Sequence, residues 1–422
     1  MLLCDRFFLA KYSLEAFNAL ISFGALITML QIGANVCACA ADVFVGQFNG
    51  ANKTNQISSP TWQMIWFSIF TNLIFVPLAF YLPDILPDHL NEDTKAIFYC
   101  RLLIAFNSLS PLTCALSTFF VGMKNTFIPM VSTIAGNGTN MILNTLLIFG
   151  VKGWIPELGI EGAAIATLLG QLTSILVLCV AFFAPYNRKT YSTHRFTLDF
   201  PLLFKILRVG GPNAIAQAAI ASAWAFFFIL MQSLGEASLT LASIMQTIFG
   251  FFVFIIQGLS RGVSTTVANL IGGEQTHLIS QVLNSGVKLC LYFCLTISLM
   301  LALYPDIVIN LLFSKADVPR IISYIDALKF TLFWGCLSFL FKSVRGLFSG
   351  LLTACGHTGF VMINETITVW FLFVLPVWIC VKFFNYDVSW AYFIAFIHNA
   401  STVGVYFWKF FQVDWKKNAK LI

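Results

Sequence analysis

Along this chain, runs of more than twenty mainly apolar residues recur, each unbroken by any alternating polar position and each closed by a short polar joint. They cover roughly 17–47, 61–82, 95–122, 127–150 and 163–184, then 205–231, 239–269, 281–304, 325–352, 358–382 and 390–411. A spanning helix needs about 20 such residues, and hydrocarbon admits only helices or closed barrels because every backbone polar group must be paired. Barrel strands are short and alternate, so continuous runs specify helices. The fold class expected is all-α, a polytopic membrane protein. Composition points the same way: 59% of residues are apolar and 10% charged, where a soluble domain carries about 25% charged. The eleven cysteines fall almost entirely inside apolar runs, where a thiol acts as a small hydrophobe and implies neither a disulfide framework nor a zinc site.

The runs form two copies of one pattern on either side of the least hydrophobic stretch, Ala184 to Pro201, which holds Arg188, Lys189, His194 and Arg195. Leu14-Glu15-Ala16 opens a span in the first copy and Gly235-Glu236-Ala237 opens its partner, 221 residues on from Glu15 to Glu236. Val45 to Gly50 closes one and Val267 to Gly272 the other, 222 residues apart at the glycines. Two landmarks with one spacing argue for a duplicated bundle, the parallel-repeat plan of many transporters. The expected organisation is an N-terminal lobe over 1–184, a basic cytoplasmic linker over 185–204 and a C-terminal lobe over 205–422. That makes two six-helix lobes related by a parallel pseudo-twofold repeat. The second copy's first helix starts near Leu207, so the matching helix should begin ahead of Met1. The first helix is therefore expected to be N-terminally incomplete, giving eleven whole spans and one partial.

Loop charge sets the expected orientation. Lys53, Lys124, Arg188, Lys189, Arg195 and the tail Lys416, Lys417 and Lys420 share one side. Acids such as Asp84, Asp88, Glu92, Asp93, Glu157, Asp306 and Asp317 crowd the other, along with fewer bases. Lys and Arg orient a membrane protein toward the cytoplasm. The linker and both termini of the full-length protein are expected there, in the plasma (bacterial inner) membrane. The polar joints 83–94 and 305–320 read as interfacial rims.

Polar residues at membrane depth are the functional candidates, because a buried charge is expensive unless paired, hydrated or protonated. Asp5 lies inside the partial first span, beside Arg6. Asn140 and Asn144 are spaced i, i+4 and share a face, with Asn137 one turn earlier. They serve either as glue between spans or as oxygen donors to a cation or to Asp5. Thr167 and Gln171 follow on the sixth span, where Gly162, Ala163, Ala164 and Ala166 also make a close-packing face. The second copy differs. Lys342 and Arg345 sit i, i+3 inside an apolar run, with Arg261 in the eighth span and Glu365 in the eleventh. They form an internal ion-pair network with Glu365, dock an anionic group, or snorkel to the interface.

Several stretches together resemble the multidrug and toxic compound extrusion (MATE) transporters of the multidrug, oligosaccharidyl-lipid and polysaccharide flippase superfamily. They are Asp5-Arg6-Phe7-Phe8-Leu9-Ala10, Val45-Gly46-Gln47 with Asn49-Gly50-Ala51, Asn140 to Gly150, Leu158 to Thr167, and Gly210-Gly211-Pro212. The resemblance covers nearly the whole chain. It implies two six-helix lobes in a V around a central cavity, and export of amphipathic, often cationic, solutes driven by inward Na+ or H+. It also implies a cation site at Asp5 and a cavity-lining role for Thr167. Family members of one branch carry Asp where Asn144 stands. Some branches carry an acidic ion site near Lys342, so the charge is inverted here. That inversion keeps an alternative open, a flippase for a lipid-linked saccharide or cell-wall precursor.

An enzyme is not expected. Gly258-Leu259-Ser260-Arg261-Gly262 spells the G-x-S-x-G elbow, but the elbow needs a strand before its Ser and this one lies in a helical run. No phosphate-loop signature is present either. The expected cofactors are none, the coupling ion being H+ or Na+. The expected partners are a small-molecule substrate and the bilayer, with no nucleic acid, in a monomer. Pro111, Pro129 and Pro212 are the expected bending points, since a helical proline removes a backbone hydrogen bond.

Overall fold

A computed structural model describes residues 2–85, 94–151, 153–303, 325–384, 386, 388–413, 415 and 421. Most of the loops expected at 83–94 and 305–320, and the tail lysines Lys416, Lys417 and Lys420, lie outside them. Among the described residues every regular element is helical, with one isolated backbone bridge, Val151 to Ile155.

The first twelve-residue stretch forms α1 (Leu2–Tyr12). The second span is α2 (Leu14–Cys39) and α3 (Ala41–Gly50), the third α4 (Ser59–Phe70) and α5 (Asn72–Ile85), the fourth α6 (Thr94–Ala105) and α7 (Leu109–Gly122). α8 (Phe127–Ile148) and α9 (Ile160–Phe182) are the fifth and sixth. A short α10 (Pro185–Tyr191) precedes α11 (Phe200–Ser233), α12 (Glu236–Gly272), α13 (Ile279–Leu303) and α14 (Ile325–Ala354). The eleventh span is α15 (Thr358–Val369), a π turn at Trp370–Val374, and α16 (Leu375–Phe384); α17 (Val388–Gln412) is the last. Among the described residues eight spans are long and apolar enough to cross a membrane, nine if the two parts of α12, meeting at 42°, count as one. The full-length helices left out, α8 and α17, carry Asn137, Asn140 and Asn144, and His398 and Asn399. Their polar load lowers the mean hydropathy of helices that are otherwise apolar.

The repeat seen in the sequence has a backbone counterpart. Ser13 caps α2 by accepting from Ala16 N at 3.0 Å, and Gly235, at φ +105°, caps α12. These are the two Glu15/Glu236 landmarks, each one residue or two after a cap. At the other end Asn52 and Glu274 take the left-handed conformation (φ 57° and 60°), and each leads into a 3-10 turn, Thr54–Gln56 and Thr276–Leu278. Lys53 N bonds Phe48 O at 3.0 Å and Gln275 N bonds Leu270 O at 2.8 Å. This is the Schellman closure, which satisfies the last carbonyls of a helix. The fourth and tenth spans end in the same way, through Asn125 N to Phe120 O and His357 N to Leu352 O.

The chain divides into two compact units between Ala214 and Ile215, inside α11 and just past Pro212. The basic stretch belongs to the first unit and is clamped to α4. Trp62 Nε1 donates to Thr193 O at 3.1 Å, Gln63 Nε2 to Thr197 O at 3.1 Å, and Gln63 Oε1 accepts from Asp199 N at 2.9 Å. In the first unit α7 packs against α2, α3, α4 and α9; in the second α14 packs against α12, α13 and α17. Of the three prolines expected to bend their helices, only Pro212 lies in a helix interior. Pro111 and Pro129 sit in the first turns of α7 and α8, where a missing N–H removes no bond.

Candidate functional site

In the first unit three helices converge on one carboxylate. Asp5, near the start of α1, is 1% exposed, and its partners come from α8 and α9. Asn140 Nδ2 and Asn144 Nδ2 donate to Asp5 Oδ1 at 3.0 and 2.6 Å, and Thr167 Oγ1 donates to Asp5 Oδ2 at 2.7 Å. Asn140 Nδ2 also reaches Thr167 Oγ1 at 3.1 Å, and Asn144 Nδ2 lies 3.5 Å from Asn140 Oδ1. The i, i+4 spacing makes this possible, since both amides leave one face of α8. Arg6 is exposed rather than paired with its neighbour Asp5. The carboxylate is therefore held by neutral donors, and Asn144 Oδ1 is left buried without a partner.

Other residues singled out in the sequence lie elsewhere. Asn137 is half-buried and its amide donates to Thr133 O on its own helix. It shares the stripe of Asn144 but stands seven residues away, roughly 10 Å along the axis, too far to meet the same carboxylate. Gln171, one turn beyond Thr167, is half-buried and makes no hydrogen bond to the cluster. The glue between α8 and α9 is a different pair: Ser132 Oγ donates to Ser174 O at 2.9 Å and Ser174 Oγ to Ser132 O at 3.1 Å. Gly162 lets Leu147 approach, for a Cβ there would lie 2.6 Å from Leu147 O.

The second unit buries a network of charged groups. Arg345 on α14 reaches Glu365 Oε2 on α15 at 3.4 Å, and its Nη1 donates to His398 Nε2 on α17 at 2.8 Å. Arginine can only donate, so Nε2 accepts and His398 is the neutral Nδ1–H tautomer. Tyr406 OH donates to Glu365 Oε1 at 2.7 Å. Arg345, Glu365, His398 and Tyr406 are all buried. Lys342, one turn before Arg345, is half-buried, with its ammonium 5.8 Å from the Trp224 ring centroid. Arg261 stands on α12, half-buried. His398, which lies mid-helix in α17, Tyr406 and Trp224 are not among the candidates singled out from the sequence. An ionisable His within the apolar run 390–411 was the available signal.

Ser260 of the G-x-S-x-G spelling lies inside α12 and donates to Gly346 O at 2.6 Å. It serves helix packing, with Gly350 placed so that a Cβ would fall 2.7 Å from Ser260 O. Among the described residues no group of three or more His, Cys, Asp or Glu is arranged to hold a metal ion.

Comparison with known proteins places the chain in a family. The chain is 26% identical to the "Probable multidrug resistance protein NorM" of Thermotoga maritima, over 99% of this chain and 89% of that protein. It is 22% identical to the "Uncharacterized transporter YisQ" of Bacillus subtilis, over 87% of this chain and 80% of that one. A solved structure described as an outward-facing conformation of a multidrug resistance MATE family transporter superposes with a TM-score of 0.84 at 17% identity, covering 98% of this chain and 92% of that one. The MatE family profile matches residues 1–146 and 212–379. Both buried clusters draw on those two segments, Asp5 with Asn140 and Asn144 on one and Lys342, Arg345 and Glu365 on the other. The chain belongs to the MatE family of multi-pass membrane transporters and is not an enzyme.

Proposed function

We propose that this protein is a secondary active exporter of the plasma (bacterial inner) membrane, antiporting amphipathic or cationic solutes against inward-moving H+ or Na+. The multidrug resistance name of its Thermotoga maritima relative supports that reading. The observation that carries it is Asp5, a buried carboxylate under three neutral donors from two other spans. A proton would sit on Oδ2, the oxygen with a single donor, while Thr167 Oγ1 turns from donor to acceptor, as a hydroxyl can. The two amides on Oδ1 stay in place. Sodium is a hard cation that takes oxygen ligands, and Asp5, Thr167 Oγ1 and the free Asn144 Oδ1 supply them. Either ion cancels the charge that ties α1 to α8 and α9 and frees that helix to repack. No cofactor takes part, the working unit is a monomer, and both termini face the cytoplasm.

Asp5→Asn should abolish gradient-driven efflux of an ethidium-type dye from proteoliposomes while leaving membrane insertion intact; full residual transport would overturn the proposal. Imposing a pH gradient and a sodium gradient separately identifies the ion. A second reading, a flippase for a lipid-linked saccharide, is favoured by Lys342 and Arg345 in the second unit. It requires that loss of the protein cause a growth defect with accumulated cell-wall precursor.

A further inference from the structure

Near the middle of a span in the second unit, Lys342 stands one turn from the Arg345–Glu365 ion pair. Lys342 lies within two residues of the midpoint of the span Ala327–Ala354. Each face of a hydrocarbon layer of about 30 Å is then roughly 15 Å away, beyond the reach of a lysine side chain, so snorkelling does not relieve the charge. Arg345 takes Glu365, and Lys342 has no hydrogen-bond or ion-pair partner among the described residues, lying over the Trp224 ring and meeting the Glu365 charge only at longer range. A lone cation at that depth costs about 2.5–3.5 kcal/mol on insertion scales, and a ring face returns about 0.5–2.

The rings continue from one cation to the other. Trp224 meets Phe373 with centroids 5.4 Å apart, Phe373 meets the His398 ring at 6.1 Å and 32°, and His398 accepts from Arg345. Phe373 belongs to the π turn Trp370–Val374. Such bulges are frequent at functional sites because they re-aim side chains out of helical register. The result is an aromatic shelf with the half-buried Lys342 at one end and Arg345 at the other.

We propose that Lys342 and Arg345, with the shelf Trp224, Phe373 and His398, seat an oxyanion carried by an amphipathic molecule. The exported solute then presents a carboxylate or phosphate to the second unit. This rests on the exporter reading and names its substrate class. The oxyanion belongs either to a soluble solute or to a lipid headgroup.

The test is equilibrium binding of dansylglycine, an aryl carboxylate, and of its uncharged methyl ester to the full chain in phosphatidylcholine nanodiscs. The native protein should bind the acid about tenfold more tightly than the ester, the scale of one hydrogen bond to a charged group. Lys342→Met removes a membrane charge, so insertion is favoured; it should bring the two affinities within about twofold. Lys342→Arg should keep the preference. No preference in the native protein, or a preference that survives Lys342→Met, overturns the proposal. Phosphatidylglycerol nanodiscs assign the source: loss of acid binding there means a headgroup takes the seat, and unchanged binding means a soluble anion does. Asp5→Asn separates the two readings, because failure of the coupling proposal shows as surviving efflux while failure of this one shows only in the acid-to-ester ratio.

Discussion

In the first unit Asp5 is held by two amides and a hydroxyl; in the second Glu365 is held by a guanidinium and a phenol, with a further ammonium a turn away. Away from these sites the two copies share backbone features, with left-handed residues closing matching spans at Asn52 and Glu274. What differs is charge. A carboxylate under neutral donors can lose or gain a counter-charge with little rearrangement, which suits a reversible ion site. An ion pair braced by His398 and Tyr406 cannot, because removing one member strands the other in a dry interior. On the proposed coupling role of Asp5, repetition of the scaffold lets one unit switch while the other stays fixed.

The largest effect should therefore come from the fixed side. Glu365→Gln leaves Arg345 buried without its carboxylate, a loss of about 3–5 kcal/mol for a broken buried pair. Thermal unfolding in detergent should show it as a lowered Tm or poor recovery of folded protein. The double variant Glu365→Gln with Arg345→Met, which removes both charges, should regain most of that loss. If the single variant unfolds at the native temperature, the network is not a brace and the contrast between the units fails.

Next in size is the switching side. Asn144→Leu removes the 2.6 Å donor to Asp5, and a hydrogen bond to a charged group contributes about 1.5–3 kcal/mol. The Tm should fall, and the fall should shrink when Asp5→Asn is also present, because the charge that the amide serves is gone. Equal losses in both backgrounds would mean that Asn144 acts by packing alone. Gln63→Leu strips two bonds that clamp the basic stretch, each about 0.5–1.5 kcal/mol. Limited proteolysis between 192 and 199 should accelerate several-fold, with dye efflux the measure of whether the clamp serves transport.

Which of these features the sequence disclosed follows from what each depends on. The spans, the repeat and Asp5 with Asn140, Asn144 and Thr167 depend on local pattern: apolar length, landmark spacing, and an i, i+4 pair facing an acid. Asn137 shares that angular stripe, but spacing around a helix carries no information about depth, and Asp5 reaches only the two amides nearer it. His398 and Tyr406 meet Arg345 and Glu365 across 53 and 41 residues, and nothing local in α17 encodes those contacts. The linker was legible as charged but not as anchored, because its bonds run from Trp62 and Gln63, residues that read as ordinary span positions.

The smallest expected effect is at the reciprocal clip between α8 and α9, where Ser132 and Ser174 each donate to the other's carbonyl. Both side chains are neutral, and both carbonyls already accept within their helices' geometry, so Ser174→Ala leaves no orphaned charge. Interhelical bonds of this kind average about 0.6 kcal/mol in membrane proteins, since the separated helices find partners in the unfolded state too. Ser174→Ala should shift the Tm only slightly and leave efflux intact, since Ser174 stands about two turns from Thr167 on the same helix. A large loss of transport from this substitution would mean that α8 and α9 move against each other during the cycle. Then the switching element in the first unit would be the α8–α9 contact itself, not α1 alone, and the Asn144→Leu and Ser174→Ala effects on transport would rise together.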